Sequence, residues 1–155
     1  MRRCTLQIEK SAVLSEVAKT TAYVGAKTAG PQGANIYDTV FTTNDDAVML
    51  ERFFREAKSA LTGILKRWIV ATEDRPSDAV ADPGEVFVVG LSLTDRFETA
   101  LLPSLNAEIF AFFVNYITAQ WFSFANRGDV EWYATRATAN LREIQTKICY
   151  KSKPL

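Results

Sequence analysis

From Leu50 the large apolar side chains recur at Phe54, Ala57, Leu61, Ile64 and Trp68, in steps of four, three, four, three and four. That spacing returns each to one stripe of a 3.6-residue helix and predicts a seam buried against a partner helix. Thr43 or Asn44 is placed to cap it, and Asp45 and Asp46 in its first turn suit the helix dipole. Glu51–Arg55 and Arg52–Glu56 are i,i+4 pairs on its wet side, each adding about 0.3 kcal/mol. A second one-sided stripe runs through Val130, Tyr133, Ala137, Leu141, Ile144 and Ile148, with Asp129 as its cap. Between these two, the segment IFAFFVNYITAQWFSFAN (109–126) has no charge and carries Phe110, Phe112, Phe113, Tyr116, Trp121, Phe122 and Phe124. On a helix those rings point in every direction, so the segment has to be wrapped by its own domain, by other copies or partners, or by lipid. Pro103 suits its first turn, and Asn126 with Gly128 ends it.

Elsewhere the period changes. Cys4 to Ile8 alternates apolar and polar, which predicts a short strand or an extended arm over about 1–9. Ser11 is placed to cap a helix bearing Val13, Leu14, Val17, Ala18 and Val24, with Gly25 as its stop. Thr28 to Tyr37, with Gly30, Pro31 and Gly33, reads as a flexible connection. The acidic stretch 71–84, punctuated by Pro76, Pro83 and Gly84, predicts a mobile loop. Glu85 to Leu93 is rich in β-branched residues and predicts a strand. A strand needs partners for its backbone groups: the Cys4–Ile8 arm, the Thr39–Phe41 stretch, or a strand of another copy. The expectation is a mainly α single domain (1–155), a bundle of about four helices with a short β element and a C-terminal tail from about 149.

Composition narrows the function classes. The 155 residues are 48% apolar and 23% charged, and 18 basic side chains balance 18 acidic ones. The whole chain therefore lacks the field that draws proteins non-specifically to polyanions. Arg2 and Arg3 at one end, with Lys147, Lys151 and Lys153 at the other, form a modest basic set that solvated termini explain as well as a partner does. Cys4 and Cys149 could pair only if the termini met, and are read as reduced thiols of a cytoplasmic product. The N-terminus lacks the apolar core of a secretory signal. The polar residues Asn115, Thr118, Gln120, Ser123 and Asn126 favour a buried core or interface helix over a membrane span for 109–126.

Catalytic chemistry finds little footing. There is no histidine, which removes the commonest general base and metal ligand. Two distant cysteines cannot supply a structural zinc site. Gly25-Ala26-Lys27-Thr28 lacks the glycines of a phosphate loop and follows a helix. Glu73, Asp74, Asp78, Asp82 and Glu85 do not have calcium-loop spacing, and read as a solvated loop. Phe110, Phe113, Trp121 and Phe124, with no basic residue among them, suit packing better than base stacking. No cofactor is expected.

Four stretches together, SEVAKTTAYVGAK (15–27), FTTNDDAVMLERFFREA (41–57), FFVNYITAQWFSFANRGDVEWYATRATANLREI (112–144) and ICYKSKP (148–154), carry a likeness. The set resembles a family of small structural proteins encoded by tailed phages and prophages of gut bacteria. That family tends to show a Trp-Phe pair, here Trp121-Phe122, a Tyr-Ala helix, here Tyr133-Ala134, and an aromatic, basic, proline-bearing tail, here Tyr150, Lys151, Lys153 and Pro154. This chain departs from it with Cys149 where a second aromatic is common, and without arginine or a second proline after Pro154. The resemblance implies a virion component made in the bacterial cytoplasm, most plausibly a ring-forming neck or head–tail adaptor touching portal and tail proteins, with incidental contact to packaged DNA. Leu6, Ile8, Phe87 and Val89 on the strands, and Phe110, Phe113 and Trp121 on the apolar helix, are the expected interface residues. Tyr150, Lys151 and Lys153 join them from the tail. A tail-completion or capsid-associated protein is the alternative within that setting, and a helical ligand-binding or regulatory protein the alternative outside it.

Overall fold

The strand Glu85–Leu93 finds both of its neighbours inside the chain. A computed structural model describes residues 1–27, 42–76 and 85–151. In it β1 (Arg2–Glu9) passes directly into α1 (Lys10–Lys27), and a 3₁₀ turn (Asn44–Asp46) leads into α2 (Ala47–Leu65). Then come β2 (Ile69–Pro76), β3 (Glu85–Leu93), a 3₁₀ turn (Thr99–Leu101), α3 (Leu102–Ala125), another 3₁₀ turn (Arg127–Asp129) and α4 (Val130–Cys149). The architecture is mainly helical, four helices with a small antiparallel sheet of order β1-β3-β2.

The N-terminal segment is thus a sheet strand, and the arm reading is corrected. Its alternation places Cys4, Leu6 and Ile8 inward and Thr5, Gln7 and Glu9 outward. It pairs antiparallel with β3 from Arg2↔Leu93 to Glu9↔Val86. On the other side of β3, β2 pairs from Ile69↔Leu91 to Pro76↔Glu85, with a register shift between Ile69 and Ala71 that leaves Val70 bulged and exposed. The loop expected from 71 is therefore strand as far as Pro76. Nearly every residue of β2 is exposed, so it has no hydrophobic alternation to betray it; hydrogen bonds to β3 hold it. The remainder of that loop, the Thr28–Tyr37 connection and the Thr39–Phe41 strand candidate lie outside the described residues.

Two helix boundaries also move. α1 starts at Lys10, ahead of Ser11, and the Lys10 ammonium is held by Glu51 of α2 and lies 3.5 Å from Glu85 of β3. It continues past Gly25, which is buried; tertiary packing overrides a helix-interior cost of about 1 kcal/mol for glycine. Asp46 stands at the N-cap of α2 without a side-chain cap bond, and Thr43 caps the 3₁₀ turn ahead of it. Its hydroxyl accepts from the Asp45 N–H at 3.3 Å, while the Asp46 carboxylate accepts from the Thr43 N–H at 2.8 Å, a reciprocal capping box. Arg52–Glu56 forms as expected, at 3.3 Å, whereas Glu51 turns to Lys10 and away from Arg55. Asp129 donates no cap to α4; its carboxylate accepts from the Asn126 side chain.

α3 is the axis of the bundle. α1, α2 and α4 all pack on it, and β1 reaches its side. Of the wrappings open to an all-round apolar helix, its own domain supplies most. By length and composition the Thr99–Ala125 stretch would pass as a membrane span, yet its rings meet protein. Phe113 lies 5.1 Å from Phe54 and 5.8 Å from Phe112, and Phe122 lies 5.4 Å from Tyr133, all in tilted or edge-on arrangements. A polar ladder fastens α3 to α4. The Asn115 amide donates to Asn140 at 2.8 Å, the Asn140 amide donates to Glu108 at 2.6 Å, and Lys147 donates to the other Glu108 oxygen at 3.0 Å.

Candidate interaction surfaces

Burial divides the expected interface residues. Leu6, Ile8, Phe87, Val89 and Phe113 are all 5% exposed or less and belong to the core, so they are withdrawn as surface contacts. The cause is the sheet itself: once β1, β3 and β2 pair, one face of β1 and β3 closes over the helices. Phe110 and Trp121 are half-buried and pack on that core. Tyr150 and Lys151 are exposed, and Lys153 lies outside the described residues.

Other apolar groups reach solvent instead. Phe124 is 69% exposed and stacks on Phe53 at a centroid distance of 6.2 Å, extending the α2–α3 seam to the surface. Trp132 on α4, 62% exposed, lies under the Arg136 guanidinium, and Tyr23 on α1, 66% exposed, lies under Lys27. Each sits on the wet side of its own helix, so the stripe rule that finds seams passes over them.

The sheet contributes an edge. β2 has only β3 as a strand neighbour among the described residues, so its outer row of N–H and C=O groups faces outward. Glu73, Asp74 and Arg75 punctuate it: Lys58 of α2 holds Asp74 at 3.0 Å, and Arg75 approaches Glu73 of the same strand at 3.7 Å.

Two clefts flank α4. One, about 380 Å³, has α3 as its floor, with Glu16 and Thr20 of α1 on one wall and Tyr133 and Arg136 of α4 on the other. The second, about 200 Å³, is an apolar groove between α2 and α4 lined by Ala60, Phe112, Tyr116, Ala119, Ala137 and Leu141. Burial and the nearby Glu56 carboxylate raise the Tyr116 pKa, and burial, with Asp129, raises that of Tyr133. Both phenols therefore stay neutral donors on their clefts well past neutral pH.

Metal-binding geometry is not found: among the described residues there is no group of three or more Asp, Glu or Cys placed to hold an ion. Cys4 is buried in the sheet and Cys149 is exposed, both as free thiols. Arg2 and Lys151, near the two ends of the described chain, both reach Phe97. Arg2 donates to the Phe97 carbonyl at 3.1 Å, and Phe97 bridges to Lys151. Lys147, expected in the terminal basic set, is taken up by Glu108.

No family model, curated protein or solved structure matches this chain.

Proposed function

We propose that this chain is a non-enzymatic structural protein of a virion, a ring-forming adaptor between the portal side of the capsid and the tail of a tailed phage or prophage. The observation that carries the reading is the open edge of β2, a strand exposed from Val70 to Pro76 and paired on one side alone among the described residues. Such an edge accepts a strand from a neighbour through main-chain hydrogen bonds. Repeated head to tail, contacts of that kind close into rings when the rotation allows. Phe124, Trp132 and Tyr23 add apolar area of the sort interfaces favour. The likeness of 15–27, 41–57, 112–144 and 148–154 to phage structural proteins supplies the setting, and with it the portal and tail proteins as neighbours.

Mass photometry and negative-stain imaging, alone and with a portal or tail protein, test it. Rings, or incorporation into a portal assembly, are expected. A chain that stays monomeric at micromolar concentration and joins neither partner overturns it. Cross-linking in purified particles separates a neck position from a tail-completion or capsid-associated one.

The 380 Å³ cleft between α1 and α4 favours a second reading, a helical protein that holds a small molecule. Its polar walls and Phe110 floor suit a ligand with one apolar and one polar side. Native mass spectrometry showing a co-purified small molecule on a monomer would favour it over the adaptor.

A further inference from the structure

The chain's zero net charge conceals a separation of charge along the sheet. Pairing Arg3 with Ser92, and the hydrogen bond from the Ser92 N–H to the Trp68 carbonyl at 2.8 Å, bring the start of β1, the end of β3 and the start of β2 to one end. Lys66 and Arg67 immediately precede Trp68 there, Arg96 follows β3, and the Arg2–Phe97–Lys151 contacts add the C-terminal lysine. Arg2, Arg3, Lys66, Arg67, Arg96 and Lys151 are all exposed. The acidic groups among them are Asp95, which pairs with the terminal amine at 2.7 Å, and Glu98, which accepts from the Ala100 N–H. Arg3, Lys66, Arg67 and Lys151 enter no ion pair among the described residues. The three adjacent strand ends themselves span about 10 Å, and Lys66, Arg67 and Arg96 lie in the chain segments next to them.

The opposite end carries Glu9, Glu51, Glu73, Asp74 and Glu85, and most of these are already matched by Lys10, Lys58 and Arg75. The acidic end of a second copy would therefore bring few free carboxylates to the basic end. A polyanion would bring many.

We propose that the basic end of the sheet binds the phosphate backbone of nucleic acid, without regard to base sequence. The guanidinium groups of Arg3 and Arg67 present forked donors that match phosphate oxygens, and Lys66 and Lys151 add point charges. Contacts of this kind, cation to phosphate oxygen, position the molecule on a duplex and read no sequence. This goes beyond the adaptor reading and does not depend on it: a monomer would bind in the same way.

Fluorescence anisotropy with a labelled duplex DNA of arbitrary sequence tests the proposal. Binding should weaken from about 50 to 200 mM salt with a log–log slope of about 3.6, or ~0.9 for each of the four unpaired cations. Arg3→Gln, Lys66→Gln and Lys151→Gln should each lower that slope by about 0.9, and the triple charge reversal to Glu should weaken binding more than tenfold. Circular dichroism checks that these exposed substitutions leave the fold intact. Lys19→Glu with Arg142→Glu, exposed on α1 and α4, should leave affinity unchanged. Absence of binding at low salt, an equal loss in the control variant, or binding to polyglutamate and not to DNA would each overturn it.

Discussion

The ladder Asn115–Asn140–Glu108–Lys147 makes a sharp prediction about how α4 is held to α3. Asn140 is its middle rung: its carbonyl accepts from Asn115 and its amide donates to Glu108. Replacing it with alanine strands both neighbours. Asn115 is 7% exposed and borders the 380 Å³ cleft, so water makes good the loss of its partner only in part. Losing the partner of a buried donor costs about 1–3 kcal/mol. Glu108 keeps Lys147, and its side chain is 20% exposed, so its loss is partly made good by water and by the ammonium. The expected cost of Asn140→Ala is therefore about 2 kcal/mol, which lowers the midpoint of a chain this size by about 4–8 °C. Urea denaturation followed by circular dichroism at each vertex of a cycle with Asn115→Ala measures the coupling. The double variant should cost less than the sum of the singles by about 1 kcal/mol, because the second truncation removes a group already orphaned. Additive costs, or a loss below about 0.5 kcal/mol for Asn140→Ala, would refute the claim that the rungs are a buried, mutually satisfying network.

Thr118 is fully buried and its hydroxyl has no hydrogen-bond partner among the described residues. Thr118→Val should raise stability by about 1 kcal/mol, read as a midpoint about 2–4 °C higher; a fall would mean the hydroxyl is satisfied. Burial works against the Lys10 ammonium, but its hydrogen bond to Glu51 and the fields of Glu51 and Glu85 outweigh this and raise its pKa above 10.5. The same bond lowers that of Glu51 below 4.5. The carboxylate's contribution is complete above 4.5 and lost as pH falls through the folded value; the ammonium's is complete below 10.5 and lost as pH rises through its own. Lys10→Met should therefore flatten the acid limb of the stability profile, by less than about 1 kcal/mol since Glu51 is half exposed, and an unchanged limb would remove the pair from the account. Phe124→Glu and Val70→Glu change exposed residues and should leave the melting midpoint within about 2 °C while abolishing self-association in mass photometry; retained rings would place the interface elsewhere.

The sequence by itself determined the elements whose one-sided burial leaves a period. The Leu50–Ile64 part of the first seam, the Val130–Ile148 stripe and the alternation of Cys4, Leu6 and Ile8 became the packed faces they announced. Trp68 falls in the turn after α2, which ends at Leu65. It also marked the all-round apolar segment as something that had to be enclosed. Only the tertiary structure decided what encloses it, because three helices converging on α3 from different parts of the chain leave no local spacing to read. β2 escaped notice for a related reason: a strand exposed on both faces carries no alternation, and its hydrogen bonds to β3 are invisible in composition. Once β3 had two neighbours, Leu6, Ile8, Phe87 and Val89 passed from surface candidates to core. The basic end was equally hidden, since Arg3, Lys66 and Lys151 are far apart in sequence and meet only through the register of the sheet and the bridge at Phe97. Local periodicity records which side of an element avoids water; which elements meet depends on long-range pairing that no short window contains.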